Sequence, residues 1–223
     1  MNDRIIKLIG IDNLKKIKEK TILIVGLGGV GGYATESLVR SGIDNLILID
    51  FDKIDITNLN RQIITNQDNI GEYKVDIMKE RIIKINPDCN VIKYQAYLNK
   101  DNIDILKKHK IDYIIDACDS IETKKLLIDY SIENDIKLIS SMGTANKIDP
   151  SKLEIIDIRK TSYDPIAKIL RKYVIDKKIN KKVMVVSSTE EPVRKDCLSS
   201  LMFVPATSGI LCANYIIRDI INK

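Results

Sequence analysis

Short aliphatic runs recur along the chain, and between them apolar residues fall at helical spacing. The run at 21–25 is apolar from Ile22 to Val25 and stops at Gly26. That is the pattern of a strand covered on both faces, as in a parallel sheet. Comparable runs occupy 46–49, 91–94, 111–117, 137–140, 153–158 and 183–186, and a further one at 201–204 predicts a last strand before a helix over 207–221. Other helices are expected over 30–41, 73–85, 121–134 and 165–176. Within 73–85, Val75, Ile77, Met78, Ile82 and Ile85 largely follow helical spacing, and Asn86-Pro87 ends the pattern. Strands alternating with helices predict an α/β fold: a Rossmann-like, doubly wound, mainly parallel sheet with helices on both faces.

At 223 residues, 44% hydrophobic and 30% charged, the chain has enough apolar material for one substantial core, which excludes a disordered scaffold. We expect a single domain over 1–223, with an N-terminal helical arm (1–20) and a basic segment (151–196). No apolar run approaches the roughly 18 residues that span a bilayer, and Lys7 interrupts Ile5-Ile6 before a signal-peptide core can form. A soluble, cytoplasmic protein with no membrane partner is the expectation. The lone histidine, His109, lies among Lys107, Lys108 and Lys110 and reads as a solvated helix-end residue, which excludes catalysis by a buried imidazole. Cysteines at 89, 118, 197 and 212 form no C-x-x-C pair, so neither a structural zinc nor a disulfide framework is expected. The net charge of +5 is uneven: residues 151–196 hold 12 Lys and Arg against 7 Asp and Glu, and the remainder balances at 24 against 24. Such a stretch suits a polyanion.

Candidate chemistry begins directly after the first strand. Gly26-Leu27-Gly28-Gly29-Val30-Gly31 satisfies G-x-G-x-x-G between a strand and a helix, where glycines let the backbone approach a phosphate and the helix presents free N–H groups. The motif indicates a nucleotide without saying which. Asp50, at the end of the second strand, can accept hydrogen bonds from a ribose, and NAD and ATP both carry one. Its neighbour Asp52 reads as solvent-facing. Arg61, in Thr57-Asn58-Leu59-Asn60-Arg61-Gln62, and Lys74, at the start of the next helix, do discriminate. A triphosphate needs fixed cations to neutralise it during transfer, whereas a dehydrogenase cofactor does not. Asp119 follows the fourth strand, where a carboxylate can hold Mg²⁺ against phosphate oxygens. Asp116 reads as structural and Cys118 as a small buried hydrophobe.

Together these residues resemble the ubiquitin-activating-enzyme-like adenylyltransferases over nearly the whole chain. The shared pattern is a doubled-glycine loop (Gly26, Gly28, Gly29, Gly31), a strand-ending acid (Asp50), an N-x-x-R-Q element (Asn58, Arg61, Gln62), a helix lysine (Lys74) and D-x-x-D-S (Asp116, Asp119, Ser120). The resemblance implies ATP and Mg²⁺ as cofactors, with Asp119 on the metal, and a monovalent cation, K⁺ or Na⁺. It also assigns Arg4, six residues before Gly10, to the ATP of the opposite subunit, and so implies a homodimer. Arg4, Arg61, Lys74 and Asp119 are then the catalytic set.

Sulphur-carrier activators of this family usually carry two C-x-x-C pairs, which are missing here. Residues 140–150, 157–161 and 164–167 instead resemble the branch that cyclises threonylcarbamoyladenosine in tRNA beside the anticodon. That resemblance implies a tRNA substrate, activation of its carboxylate as an acyl-adenylate, and ring closure with release of AMP. It places loop 141–147 at the substrate and Lys168, Arg171, Lys172, Lys177, Lys178, Lys181 and Lys182 at the tRNA backbone. The cysteine that many relatives have within 162–165 is absent. Cys197 is the remaining candidate contact for a sulphur-transfer partner, although intramolecular cyclisation does not need it, and Cys212 reads as core. The alternatives are activation of a ubiquitin-like sulphur carrier through its C-terminus, and an NAD-binding dehydrogenase or regulator.

Overall fold

In the computed structural model, which describes residues 2–193 and 197–222, β1 (Thr21–Val25) runs parallel between β2 (Asn45–Ile49) and β4 (Tyr113–Asp116). Its Ile22, Leu23, Ile24 and Val25 are buried on both faces, which explains a continuous apolar run in place of an alternating one. β3 (Asn90–Tyr94), β5 (Lys137–Ser141), β6 (Leu153–Asp157) and β7 (Met184–Ser188) complete a seven-stranded sheet of order β3-β2-β1-β4-β5-β7-β6. Only β6 is antiparallel, at the edge beside β7. The strand order reverses between β1 and β4, where open α/β sheets bind ligands at the carboxyl ends.

Two hydrophobic layers sandwich the sheet. Alternate strand residues Ile22, Ile24, Leu46 and Leu48 pack with α3 (Gly31–Arg40), α4 (Lys74–Ile85) and α7 (Phe203–Ile221). Leu23, Val25, Ile47 and Ile49 face the layer of α5 (Ile121–Glu133) and α6 (Pro165–Asp176). Each such Ile or Leu taken from water contributes roughly 1.5–3 kcal/mol. The arm comprises α1 (Asp3–Ile9) and α2 (Ile11–Lys18), and α2 buries Leu14 and Ile17. Helix starts follow their capping residues. Ser120 accepts from the Thr123 N–H at α5, and Asp164 accepts from the Ala167 N–H at α6, where Pro165 fixes the first turn.

Gly26 has φ +90°, and a Cβ there would lie 2.7 Å from the Ala117 carbonyl oxygen. At Gly31 a Cβ would lie 1.8 Å from the Gly26 carbonyl oxygen, so only glycine lets α3 start against the turn. Downstream, Gly209 brings α7 onto the same place: a Cβ there would meet the Val30 carbonyl oxygen at 2.2 Å.

The expected strand at 201–204 is not formed. Phe203 and Val204 open α7 instead, since β6 already occupies the sheet edge and α7 covers an apolar layer. His109 does end a 3-10 helix, yet it is not freely solvated, because its Nε2 shares a 2.6 Å hydrogen bond with the Tyr94 hydroxyl. No helix of the described residues is long and apolar enough to cross a membrane.

Candidate active site

A cleft of about 700 Å³ opens at the carboxyl ends of β1, β2 and β4. Its floor is the glycine turn, tied down where the Gly26 N–H donates to the Ile49 carbonyl at 2.8 Å. Asp50 is 7% exposed, and each of its oxygens takes a backbone N–H, from Leu27 at 2.6 Å and Asp52 at 2.8 Å. Burial raises the Asp50 pKa above the ordinary carboxylate value, against the pull of the Lys74 ammonium and those two amides.

Two cations stand on the cleft wall. Arg61 Nη1 donates to the Thr57 carbonyl at 2.8 Å and to Asn60 Oδ1 at 3.0 Å, which aims the guanidinium from a short connecting turn. Lys74, on the first turn of α4, is 5% exposed and donates to Asp52 Oδ2 at 2.6 Å. Asp52 is therefore the ion-pair partner of Lys74, while its side chain stays 45% exposed and faces solvent as expected. Asn58 is buried with its side chain closing a capping box on Asp55. Gln62 is also buried, and its Oε1 has no hydrogen-bond partner, leaving an acceptor in the wall for a ligand donor.

Asp119 and Ser120 complete the wall from β4. The Ser120 hydroxyl shares a 2.7 Å bond with Tyr97, whose ring meets Phe51 edge-on at 5.2 Å. The Asp119 carboxylate is exposed and makes no hydrogen bond or ion pair among the described residues.

Beneath that turn lies a buried network. Lys124 Nζ reaches both Asp116 oxygens at 3.1 Å, Ser140 Oγ at 3.2 Å and the Ser141 carbonyl at 2.8 Å. Burial opposes the Lys124 charge, but Asp116 outweighs it and raises the ammonium pKa. Asp116 is thus structural, as expected. Cys118 is only partly buried and lies where the cleft meets a second cavity, so it is not simply core. Burial, then the Asp116 carboxylate, push its thiol far above the usual range.

Of the residues singled out from sequence, Gly26, Gly28, Gly29, Asp50, Asn58, Arg61, Gln62, Lys74, Asp119 and Ser120 line this one cleft. Gly31 does not. Its place is where the first turn of α3 packs on Gly26. Arg4 does not line the cleft either, and lies exposed on α1. Cys212 is fully buried and Cys197 is exposed. The neighbours Arg194 and Lys195, counted in the basic segment, lie outside the described residues. Sequence reasoning missed Phe51, Tyr97 and the 198–200 stretch. Tyr97 was accessible in principle, since it lies just past β3 at the level of the crevice. Leu198 and Ser200 carry no local signal, and long-range bonds such as Asn60 Nδ2 to the Ser200 carbonyl at 2.9 Å bring them in.

A glycine turn at the reversal point of an open sheet, facing an acid and two cations, defines a nucleotide-binding protein of the Rossmann-like class. The ThiF family profile matches residues 2–218, and the chain belongs to the ThiF family. The chain is 38% identical to the tRNA threonylcarbamoyladenosine dehydratase of Bacillus subtilis over 96% of its length and 91% of the relative's. With the Escherichia coli dehydratase it is 36% identical over 93% of this chain and 76% of that one. Crystal structures of the E. coli dehydratase with ATP and with AMP superpose with a TM-score of 0.93 at 35% identity, covering 98% of this chain and 93% of theirs.

Proposed function

We propose that this protein dehydrates N6-threonylcarbamoyladenosine in tRNA in an ATP-dependent reaction. The observation that carries the reading is the near-complete match, in sequence and in fold, to enzymes of that activity, supported by a glycine-floored cleft where the strand order reverses. Activation of a sulphur carrier is not favoured, because the long matches are to dehydratases. A dehydrogenase is not favoured either, since the similar structure holds ATP.

The substrate carries a free carboxylate on a threonyl group joined through a carbamoyl link. A carboxylate is a poor electrophile, so its oxygen first attacks the α-phosphorus of ATP. An O–P bond forms, the bond to the β-phosphate breaks, and pyrophosphate leaves. A carbamoyl nitrogen or oxygen of the same substituent then attacks the acyl carbon and closes a five-membered ring. AMP departs with the carboxylate oxygen, and the nucleophile's proton goes to solvent. The substrate thereby loses the elements of one water. The nucleophile is already attached, so positioning supplies much of the rate and no enzyme thiol is needed.

In this reading the amides of Gly28 and Gly29 cradle phosphate, Asp50 accepts from the ribose, and Arg61 and Lys74 stabilise charge at the α-phosphate. Lys74 would exchange Asp52 for phosphate when ATP enters. Asp119 offers an unpartnered oxygen donor beside the phosphates, the ligand type Mg²⁺ takes while drawing its remaining ligands from phosphate and water. Bound there, Mg²⁺ supplies neutralisation of phosphate charge. Arg4, outside its own cleft, belongs to the site of a second copy in a homodimer. By family resemblance the protein also binds K⁺ or Na⁺ and works in the cytoplasm.

The test is mass spectrometry of nucleosides from modified tRNA incubated with enzyme, with and without ATP. An ATP-dependent loss of one water from the modified adenosine, with label from a heavy-oxygen carboxylate recovered in AMP, is expected. ATP–pyrophosphate exchange that ignores tRNA and requires a carrier protein would refute the reading.

A further inference from the structure

Beside the nucleotide cleft lies a second cavity of about 730 Å³, and the two share Ala117, Cys118, Asp119 and Thr144 on their common wall. Its character is different. Met142, Ile166, Val193, Leu198 and Tyr163 line it beside Glu191, and it has no glycine turn. The two cations in its lining are each paired with a carboxylate, Lys147 with Asp164 at 3.4 Å and Lys124 with Asp116 at 3.1 Å, and all four side chains are buried from solvent. A second triphosphate would find no cradle there. A flat, largely apolar group with polar edges would, in a volume usual for small-molecule sites.

Two features mark these walls as built. Among the described residues four non-glycine positions have positive φ, and two of them, Asn146 (+58°) and Tyr163 (+55°), line this cavity. For a bulky aromatic residue that backbone is strained, and such strain collects at ligand sites. The segments are also clasped together. Asn146 Oδ1 accepts from the Ser199 N–H at 2.8 Å, its carbonyl accepts from the Val193 N–H at 2.8 Å, and Lys147 donates to the Gly143 carbonyl at 2.9 Å. With the Asp164 contact, Lys147 retains one N–H for an acceptor on a ligand.

We propose that this cavity seats the modified base: a purine splayed from single-stranded RNA, stacked on Tyr163, with its N6 substituent directed across the shared wall to Asp119 and the α-phosphate. The assignment rests on the dehydratase reading and names the subsite it requires. Enzymes acting on a base take it out of its stack and hold it against aromatic and apolar side chains, at low cost when the strand is already single. Tyr163 is 59% exposed, so an incoming base reaches its ring without the fold opening.

The test compares tRNA bearing the threonylcarbamoyl group with the same tRNA lacking it, for wild type, Tyr163→Ala, Tyr163→Phe, Tyr163→Asn and Val193→Asp. Wild type should bind the modified tRNA more tightly. Tyr163→Ala should raise KM for modified tRNA about tenfold or more, and lose that preference, while ATP binding is unchanged. Tyr163→Phe should retain both. Tyr163→Asn, which tolerates the left-handed backbone without the ring, should behave as Tyr163→Ala, and Val193→Asp should also raise KM. Unchanged KM and preference in Tyr163→Ala and Val193→Asp overturn the assignment, as does a parallel loss of ATP binding. If wild type itself fails to dehydrate modified tRNA with ATP, the functional reading falls instead, so the two failures are distinguishable.

Discussion

Lys124 and Asp116 form an ion pair shut off from solvent, with Nζ 3.1 Å from each carboxylate oxygen. The pair joins α5 to the last residue of β4, just before the loop that carries Asp119, and is tied to β5 through Ser140. Removing one partner strands the other without compensation, which costs about 3–5 kcal/mol. Lys124→Met should therefore lower Tm by roughly 10 °C in thermal unfolding. Asp116→Leu with Lys124→Met should recover much of that loss, since no buried charge remains.

Arg61 is positioned through one nitrogen, Nη1, which donates to both Thr57 and Asn60, so Nε and Nη2 are left without a partner among the described residues and can offer phosphate a planar fork that a lysine ammonium cannot reproduce. Arg61→Ala and Lys74→Ala should each lower adenylation by about 10²–10³-fold with the fold intact. Arg61→Lys should remain impaired. tRNA-dependent ATP–pyrophosphate exchange is the assay, with circular dichroism as the fold control.

Arg4→Ala should abolish adenylation although Arg4 lies outside its own cleft. If the arginine serves a second copy, mixing the inactive Arg4→Ala and Lys74→Ala proteins restores part of the activity through hybrid dimers. No recovery after subunit exchange would remove Arg4 from the site.

Asp50 predicts an opposition between stability and binding. Its pKa is raised on folding, so its contribution to stability is full below the ordinary carboxylate range and is lost as pH rises through the folded value. Asp50→Asn should thus remove this pH dependence from thermal unfolding, although its amide nitrogen now faces one of the two N–H groups that the carboxylate accepts from. Its affinity for ATP should fall by about tenfold, the scale of a hydrogen bond to a charged acceptor. In wild type, ATP binding should weaken on acidification at a higher pH than an ordinary aspartate would dictate. Calorimetric titration across pH separates the two proteins.

The basic segment divides into two groups. Lys177 pairs with Asp129, Lys181 with Asp135, and Arg171 donates to Thr161. Lys168, Lys172, Lys178 and Lys182 are exposed without an ion-pair partner among the described residues. Replacing these four by Gln should flatten the dependence of log affinity for tRNA on log salt, by about 0.7–0.9 for each phosphate that is no longer neutralised. An unchanged slope would make them a solvated face.

What could be read in the linear sequence was whatever carries its signal locally. Ile22–Val25 had to be a buried strand, Gly26 had to turn, and Asp164-Pro165 had to start a helix. Arg61 and Lys74 were legible because strand-end positions converge in this topology. Gly31 reads as a ligand residue because a close backbone approach and a ligand contact ask for the same amino acid. Phe203 and Val204 look like strand because four apolar residues suit either element, and sheet capacity decides between them. The role of Asp52 is hidden because its partner lies 22 positions away, across the cleft wall. Tyr163 and Leu198 are brought to the second cavity by Asn146 and Lys147, and nothing in their own neighbourhoods announces it.

The abutment of Gly209 on Val30 sets an order of events during synthesis. Every strand emerges from the ribosome before α7 does, yet the glycine loop proposed to receive the phosphates is backed by that helix. A nascent chain should therefore pass through a stage with its sheet assembled and no capacity to retain nucleotide. ATP then stabilises only finished molecules, and adding it late in refolding should be as effective as adding it from the start.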